Sequence, residues 1–310
     1  MTIYVSGSMA YDRLLEFPGR FSEHIIADKL HNLNVCFTAP HMCEKLGGTA
    51  GNIAYSLSLL GEKPIILSTI GYDNQRYLAW LKKNKISIEG IKIIKDAFTA
   101  SAYIITDCDS NQITGFHAGA MGSMSKYPVS KIKTRGSFGL IAPGNIDDML
   151  AYANIYRKKK VPFICDPGQS LPAWKSGEEF KKWIKGSKIL ISNDYELGLI
   201  MNITGLDKKG LLNLTEMIIT TLGENGSIII TKDVETKITT AKPAKVVNPT
   251  GAGDAFRAGL LKGLVHGKDI VESCKLGAVS AVYAVEHAGT QDHCYTQSEF
   301  TRRHAENFSQ

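Results

Sequence analysis

Two glycine-rich segments combine residue types and spacing from which chemistry could be built. The richer is Asn248-Pro249-Thr250-Gly251-Ala252-Gly253-Asp254-Ala255-Phe256-Arg257-Ala258-Gly259. Pro249 stiffens the entry, and Gly251 and Gly253 permit a tight turn with exposed backbone N–H groups. Phe256, Leu260 and Leu264 then recur at helical spacing, which predicts a helix opening near Asp254. Orphan N–H groups at the positive end of a helix dipole form an anion site. A carboxylate beside a bound anion makes sense as a base next to a phosphoryl group in transfer. The dipole would keep such a carboxylate ionised at neutral pH. A plainer reading stands beside this one: Asp254 caps the helix and Gly-Ala-Gly is only a turn. The second segment is Lys45-Leu46-Gly47-Gly48-Thr49-Ala50-Gly51-Asn52, followed by Ile53, Leu57 and Leu60 on one helical face, with Gly61 as a helix stop. Its glycines let a ligand approach the backbone and Asn52 could bond hydroxyls, or the segment is a loop that packs a helix closely on a sheet.

Other nucleotide and hydrolase signatures are missing from the sequence. It has no G-x-x-x-x-G-K-[ST], no G-x-G-x-x-G, no H-E-x-x-H and no G-x-S-x-G. A P-loop enzyme and a dinucleotide-binding Rossmann enzyme are thereby disfavoured.

The elements that must position these segments alternate. Strand-like runs are Ile3–Ser6, Pro64–Ile70, Ser101–Thr106, Phe138–Ala142, Pro162–Asp166, Lys188–Ser192 and Ser227–Thr231. Helix-like runs are Thr49–Leu60, Gln75–Asn84, Asp147–Lys159, Glu178–Lys185, Tyr195–Met201, Leu211–Leu222, Asp254–His266 and Val271–His287. Strands separated by helices imply βαβ units, a mainly parallel sheet between helices, and a ligand rim at the strand ends. Leu14–Glu44 and Ile91–Ala120 break the rhythm and predict a small β-rich lid over that rim. Residues 1–310 then form one α/β domain. The basic run Arg157-Lys158-Lys159-Lys160 reads as the solvated last turn of a helix.

Composition sets the outer limits. The 310 residues are 44% hydrophobic and 21% charged, which excludes overall disorder. The net charge of +6 is spread along the chain and shows no nucleic-acid motif, so a small anionic ligand is expected rather than DNA or RNA. No stretch approaches the ~20 apolar residues of a membrane span. The start, Met1–Ser8, reads as a strand entering a turn and not as a signal peptide. The six cysteines form no C-x-x-C pair, which points to reduced thiols in a cytoplasmic protein and not to zinc.

Taken together and in this order, the two glycine segments resemble the signatures of the PfkB, or ribokinase-like, family of carbohydrate kinases. Gly47–Leu60 is similar to the N-terminal signature and Asn248–Leu261 to the C-terminal one. Between them, Asn193-Asp194-Tyr195-Glu196 resembles the family's N-x-x-E motif, and Thr221-Leu222-Gly223-Glu224-Asn225-Gly226 its T-L-G-x-x-G nucleotide segment. Near the start, Gly7-Ser8-Met9-Ala10-Tyr11-Asp12 resembles the strand end whose Asp holds substrate hydroxyls. The family often has Asp where this chain has Asn248, beside a loop for a monovalent cation.

The resemblance implies a three-layer sandwich with a β-rich lid and ATP-dependent phosphorylation of a ribose-type primary alcohol. It implies that Asp254 is the base and that the N–H groups of Gly251, Ala252 and Gly253 steady the moving phosphoryl. Ser8, Asp12, Gly47, Gly48 and Asn52 would bind substrate. Asn193, Thr221, Gly223 and Gly226 would border ATP, with Asn193 and Glu196 acting on Mg²⁺ through water and K⁺ as a further ion. Arg257 would face the phosphates or lie on the surface. Within the family, the chain is similar to bacterial adenosine kinases at Leu33–Phe37, Gly115–Met121 and Ala255–Gly259. This implies adenosine as substrate, with Phe37 and Phe116 stacking on its base. A free sugar or sugar phosphate as substrate, and a non-catalytic metabolite sensor on the same fold, remain as alternatives. Open edges on the lid sheet could pair across a homodimer.

Overall fold

The computed structural model describes residues 1–308. Strand β1 (Thr2–Ser6) leads to β2 (Ala10–Glu16), the single-turn helix α1 (Phe21–His24), β3 (His41–Gly47) and α2 (Thr49–Leu59). Next come β4 (Pro64–Ile70), α3 (Gln75–Lys83), β5 (Ile91–Ile93), β6 (Ala100–Thr106) and β7 (Gln112–His117). The middle of the chain alternates through β8 (Ser137–Ile141), α4 (Ile146–Lys159), β9 (Phe163–Cys165), α5 (Gly177–Ile184), β10 (Ser187–Asn193), α6 (Asp194–Thr204) and the short α7 (Lys208–Leu211). It ends with β11 (Thr215–Thr221), β12 (Ser227–Ile230), β13 (Glu235–Ile238), α8 (Ala252–Val265), α9 (Ile270–Val285) and α10 (Gln297–Phe308).

Nine strands form one sheet in the order β13-β12-β11-β10-β9-β8-β1-β4-β5. Neighbours are parallel except where β12 meets β11 and β13. Successive strand residues point to opposite faces, and each face has its own core. Ile3, Val5, Leu140, Ile189, Ile191 and Ile219 pack with Ile53 and Leu57 of α2, Leu260 of α8 and Val279 of α9. Tyr4, Ile141, Phe163, Leu190 and Ile218 pack with Tyr152 and Tyr156 of α4, Phe180 and Trp183 of α5 and Ile200 of α6. These residues, buried from both sides, explain why the central strands read as unbroken apolar runs.

A second sheet of four strands, β3-β2-β6-β7, is antiparallel except for the β2–β6 pair. Of the two aperiodic segments, 14–44 supplies the outer halves of β2 and β3 and the turns between them. Segment 91–120 is divided: β5 pairs with β4 in the large sheet, while β6 and β7 build the small one.

The helix expected over Leu211–Leu222 is corrected. Only Lys208–Leu211 is helical there, and Thr215–Thr221 is a strand with Ile218 and Ile219 fully buried between the layers. The β-branched run Ile218-Ile219-Thr220-Thr221 loses less side-chain freedom in a strand, and burial on both faces removes the period that would have marked it. All six cysteines carry free thiols. Among the described residues no helix is long and apolar enough to cross a membrane.

Candidate active site

The C-terminal ends of β9, β10 and β11 face the start of α8, the start of α2 and the inner end of β2. A cleft of about 450 Å³ lies between them. Its walls include Asp254, Gly251 and Gly253 from the α8 entry, and Gly48, Thr49 and Asn52 from the α2 entry. Asp166, Asn193, Glu196, Thr221 and Gly223 come from the strand ends, and Asp12 from the small sheet.

The turn before α8 is built by its glycine. Gly251 sits at φ 84°, and a Cβ there would stand 2.8 Å from Cγ2 of Thr290. Ala252 N–H donates to the Pro249 carbonyl at 3.1 Å, so it is not free to meet a ligand. Among the described residues, the N–H groups of Gly251, Gly253 and Asp254 make no backbone hydrogen bond and remain open at the helix dipole's positive end. Asn248 holds the turn: its Oδ1 accepts from Thr250 N–H at 2.9 Å and its Nδ2 donates to the Ala288 carbonyl at 2.9 Å.

Asp254 is oriented from the α2 side. Nδ2 of Asn52 donates to Asp254 Oδ2 at 2.8 Å. Oδ1 of Asn52 accepts from Thr290 Oγ1 at 2.9 Å and from Gln291 Nε2 at 3.0 Å. Gln291 in turn accepts from Trp80 Nε1 at 3.0 Å. Asn52 is buried, so its amide is committed to the protein on both ends. Thr290 and Gln291 were not singled out in the sequence; they lie in an irregular loop with no local signature.

The expectation of a strongly ionised Asp254 is corrected. Burial pushes its carboxyl up to about 7. The Arg257 charge and the Asn52 hydrogen bond pull it down, while the charges of Asp166 and Asp12 push it further up. Desolvation therefore outweighs the Arg257 charge and the Asn52 hydrogen bond. A carboxyl poised near neutrality is well matched to accepting a proton.

Arg257 is neither a surface side chain nor free. It is buried, its Nη2 donates to Asp166 Oδ1 at 2.8 Å, and its Nε faces Asp166 Oδ2. Asp166 was missed in the sequence, although Asp166-Pro167-Gly168 directly follows β9. Nothing local ties it to an Arg 91 positions away.

Asn193 and Glu196 form a reciprocal cap at the start of α6. Asn193 Oδ1 accepts from Glu196 N–H at 2.7 Å, and Glu196 Oε2 accepts from Asn193 N–H at 2.9 Å. Burial raises the Glu196 carboxyl above its ordinary range, Asn193 N–H and Arg257 counter this, and Asp166 adds to it. Gly226 is not among the cleft residues; it closes the β11–β12 turn at φ 88°. Among the described residues no three His, Cys, Asp or Glu side chains form a metal-binding group.

A wider cavity of about 640 Å³ adjoins the cleft under the small sheet. Asp12, Thr250 and Thr290 line both spaces, and Leu14, Phe17, Pro40 and Ile104 supply an apolar wall to the cavity. Burial raises the Asp12 carboxyl. Gly47 lies against that carboxylate, where a Cβ would collide with it. Ser8 is buried under the α2 turn, accepting from Thr49 N–H at 3.0 Å. Phe37 does not line the cavity but backs Phe17, with ring centroids 5.0 Å apart. Phe116 stands outside on β7, 53% exposed. Phe17, which the sequence reading passed over, is the cavity's own aromatic side chain.

Comparison with known proteins agrees with this geometry. The pfkB family carbohydrate kinase profile matches residues 23–297. The chain is 33% identical to a nucleoside kinase of Methanocaldococcus jannaschii over 279 residues, 89% of this chain and 91% of the relative. It is 26% identical to fructokinase-2 of Solanum lycopersicum over 272 residues, 78% of this chain and 83% of the relative. Among solved structures, the nucleoside kinase of Burkholderia thailandensis in complex with inosine superposes with a TM-score of 0.88 at 35% identity, covering 99% and 98% of the two chains. The same kinase in complex with ADP-inosine gives 0.86 at 35% identity, covering 99% and 96%. The large parallel sheet between helices with its smaller sheet is thus the ribokinase-like fold, and the activity is transfer of a phosphoryl group from ATP to a hydroxyl. This chain belongs to the pfkB family of carbohydrate kinases.

Proposed function

We propose that the protein is a nucleoside kinase that phosphorylates the 5′-hydroxyl of its substrate, with adenosine as the substrate and AMP as the product. The observation that carries this reading is the continuity of the cleft with the apolar cavity across Asp12. The cleft holds Asp254 and the open N–H groups. The cavity adds room and an apolar wall for a base, which a free sugar would leave empty. The similarity to nucleoside kinases over nearly the whole chain supports the same class.

In this reading Asp12 and the Gly48 backbone grip the ribose hydroxyls. Asp254, directed by Asn52, accepts the 5′-hydroxyl proton as that oxygen bonds to the γ-phosphorus. The bond to the β-phosphate oxygen breaks, and its electron pair leaves with ADP. The N–H groups of Gly253 and Asp254 bond the phosphoryl oxygens where charge is highest. The β9–β11 ends and Gly223 receive ATP. Asp166 and Glu196 are each tied to protein donors, so they suit Mg²⁺ that keeps its waters and is held mainly by phosphates. Held there, Mg²⁺ would supply charge neutralisation on the phosphates. Closure of the small sheet excludes water as a competing acceptor.

The test is ADP release with ATP and Mg²⁺ against adenosine, inosine, other nucleosides, ribose, fructose and fructose 6-phosphate. Adenosine is expected to give the highest kcat/KM. A preference for another nucleoside would move the substrate within the class. A preference for fructose or another free sugar would place the protein with the fructokinase-like relatives instead.

A further inference from the structure

Arg257 is an expensive residue to keep where it is. It is 7% exposed, and taking a guanidinium and a carboxylate from water costs more than their attraction commonly returns. Two hydrophobic side chains would fill the same space. The Asp166 pair also leaves the group incomplete. Nη2 donates to one carboxylate oxygen and Nε has only ion-pair contact with the other, while Nη1 makes no hydrogen bond among the described residues. That nitrogen points toward the α8 entry: a Cβ on Gly253 would stand 2.8 Å from it. Gly253 carries one of the open N–H groups, and both Gly253 and Arg257 line the cleft. Arg257 follows Asp254 by one helical turn, so base and guanidinium share one face of α8. The other charges around the cleft are the carboxyl groups of Asp12, Asp166, Asp254 and Glu196. Among the described residues, Arg257 is therefore the only cation lining a cleft that must admit a polyphosphate.

We propose that Arg257 is a catalytic residue whose Nη1 donates to an oxygen of the phosphoryl group in transit, with Asp166 holding the guanidinium rigid for that contact. The assignment rests on the kinase reading of the cleft and not on which hydroxyl is phosphorylated. The proton still goes to Asp254 and the leaving electron pair to ADP. Arg257 contributes a fixed positive charge and a donor, already oriented before ATP arrives. A guanidinium can bridge a carboxylate and a phosphoryl oxygen at once, because its donors diverge in a plane.

Two variants test this. Arg257→Lys keeps the charge against Asp166, and so the fold, but one ammonium cannot reproduce the bridge. Asp166→Asn with Arg257→Gln removes both buried charges together. Both proteins are assayed by thermal melting, by nucleoside binding and by steady-state kinetics on whichever acceptor the wild type prefers. In each folded variant kcat is expected to drop by about a hundredfold or more, the loss typical of one transition-state donor. Nucleoside affinity should stay within about threefold, a span below 1 kcal/mol. If either folded variant keeps more than a third of wild-type kcat, Arg257 is only the counter-ion of Asp166. If nucleoside affinity falls in step with kcat, the role is substrate binding and the assignment is overturned. Should the double variant not fold, Arg257→Lys decides alone. A wild-type preference for a free sugar would refute the nucleoside reading and leave this test intact.

Discussion

Asp254 joins two properties that pull in opposite directions. Its carboxyl titrates at about 7 in the folded chain, against an ordinary 3.8. Between those values the folded protein holds a proton that the unfolded chain has lost, so stability falls as pH rises through that window. Asp254→Asn has no proton to lose and can still accept from Asn52. Its melting temperature is expected to exceed that of the wild type by a margin that widens from pH 4 to pH 7 and then levels off. Its kcat should fall by about 10²–10⁴-fold with adenosine and ATP still bound. Wild-type kcat/KM should climb with pH to a plateau above about 7. A purely structural role would keep the pH-dependent stability margin, which comes from burial, but leave the variant turning over near normally. At this scale Asp254, Asp12, Gly48 and Asn52 were legible, because each sits in a short motif whose glycines or helix start announce it. Phe17, Asp166 and Thr290 were not. The partners of Asp166 and Thr290 are distant in sequence, and no local pattern tells that Phe17 faces a cavity.

At the scale of elements, the start of α6 shows how one motif can serve two ends. Asn193 and Glu196 satisfy each other's backbone, which is sufficient reason for the spacing. In the proposed function, their place at the cleft would give the same residues a second use near Mg²⁺. Glu196→Gln separates the two, since glutamine also accepts from the Asn193 N–H. Stability should change little, while the Mg²⁺ concentration for half-maximal rate rises and kcat falls. An unchanged Mg²⁺ titration would leave the pair as a helix cap alone. The βαβ alternation was readable because helices with one apolar stripe and strands with unbroken apolar runs differ in period. The reading failed at β11, where Leu211–Leu214 carries a helix-like pattern straight into a β-branched strand. Strands β2, β3 and β7 were read only as aperiodic segments, since none of them keeps one face buried along its length, and alternation needs a buried face.

For the whole molecule, the two sheets differ in how firmly they are held. The large one is covered on both faces by helices. The small one exposes Tyr103, Ile113 and Phe116, and every residue of β7 is exposed. A sheet with so little buried on one side is free to move as a unit. Hydrogen exchange should report slower exchange in β2, β3, β6 and β7 when adenosine and a non-hydrolysable ATP analogue are added together. Amides of β8, β9 and β10 should stay as they were. Equal exchange in the small sheet with and without ligands would mean that it does not close.

The bond from Asn52 to Asp254 joins positions 202 apart, and β1 lies between β8 and β4, inside the large sheet. A chain leaving the ribosome therefore holds its first strand without one of its neighbours until residue 137 has emerged. It holds its aligning amide without a carboxylate until α8 follows. Such distant pairings fold slowly, since long loops must close before any contact rewards them. Partly made chains thus cannot consume ATP, however much of the sheet has formed. On dilution from denaturant, enzyme activity should return with the slowest spectroscopic phase or after it, and never ahead of it.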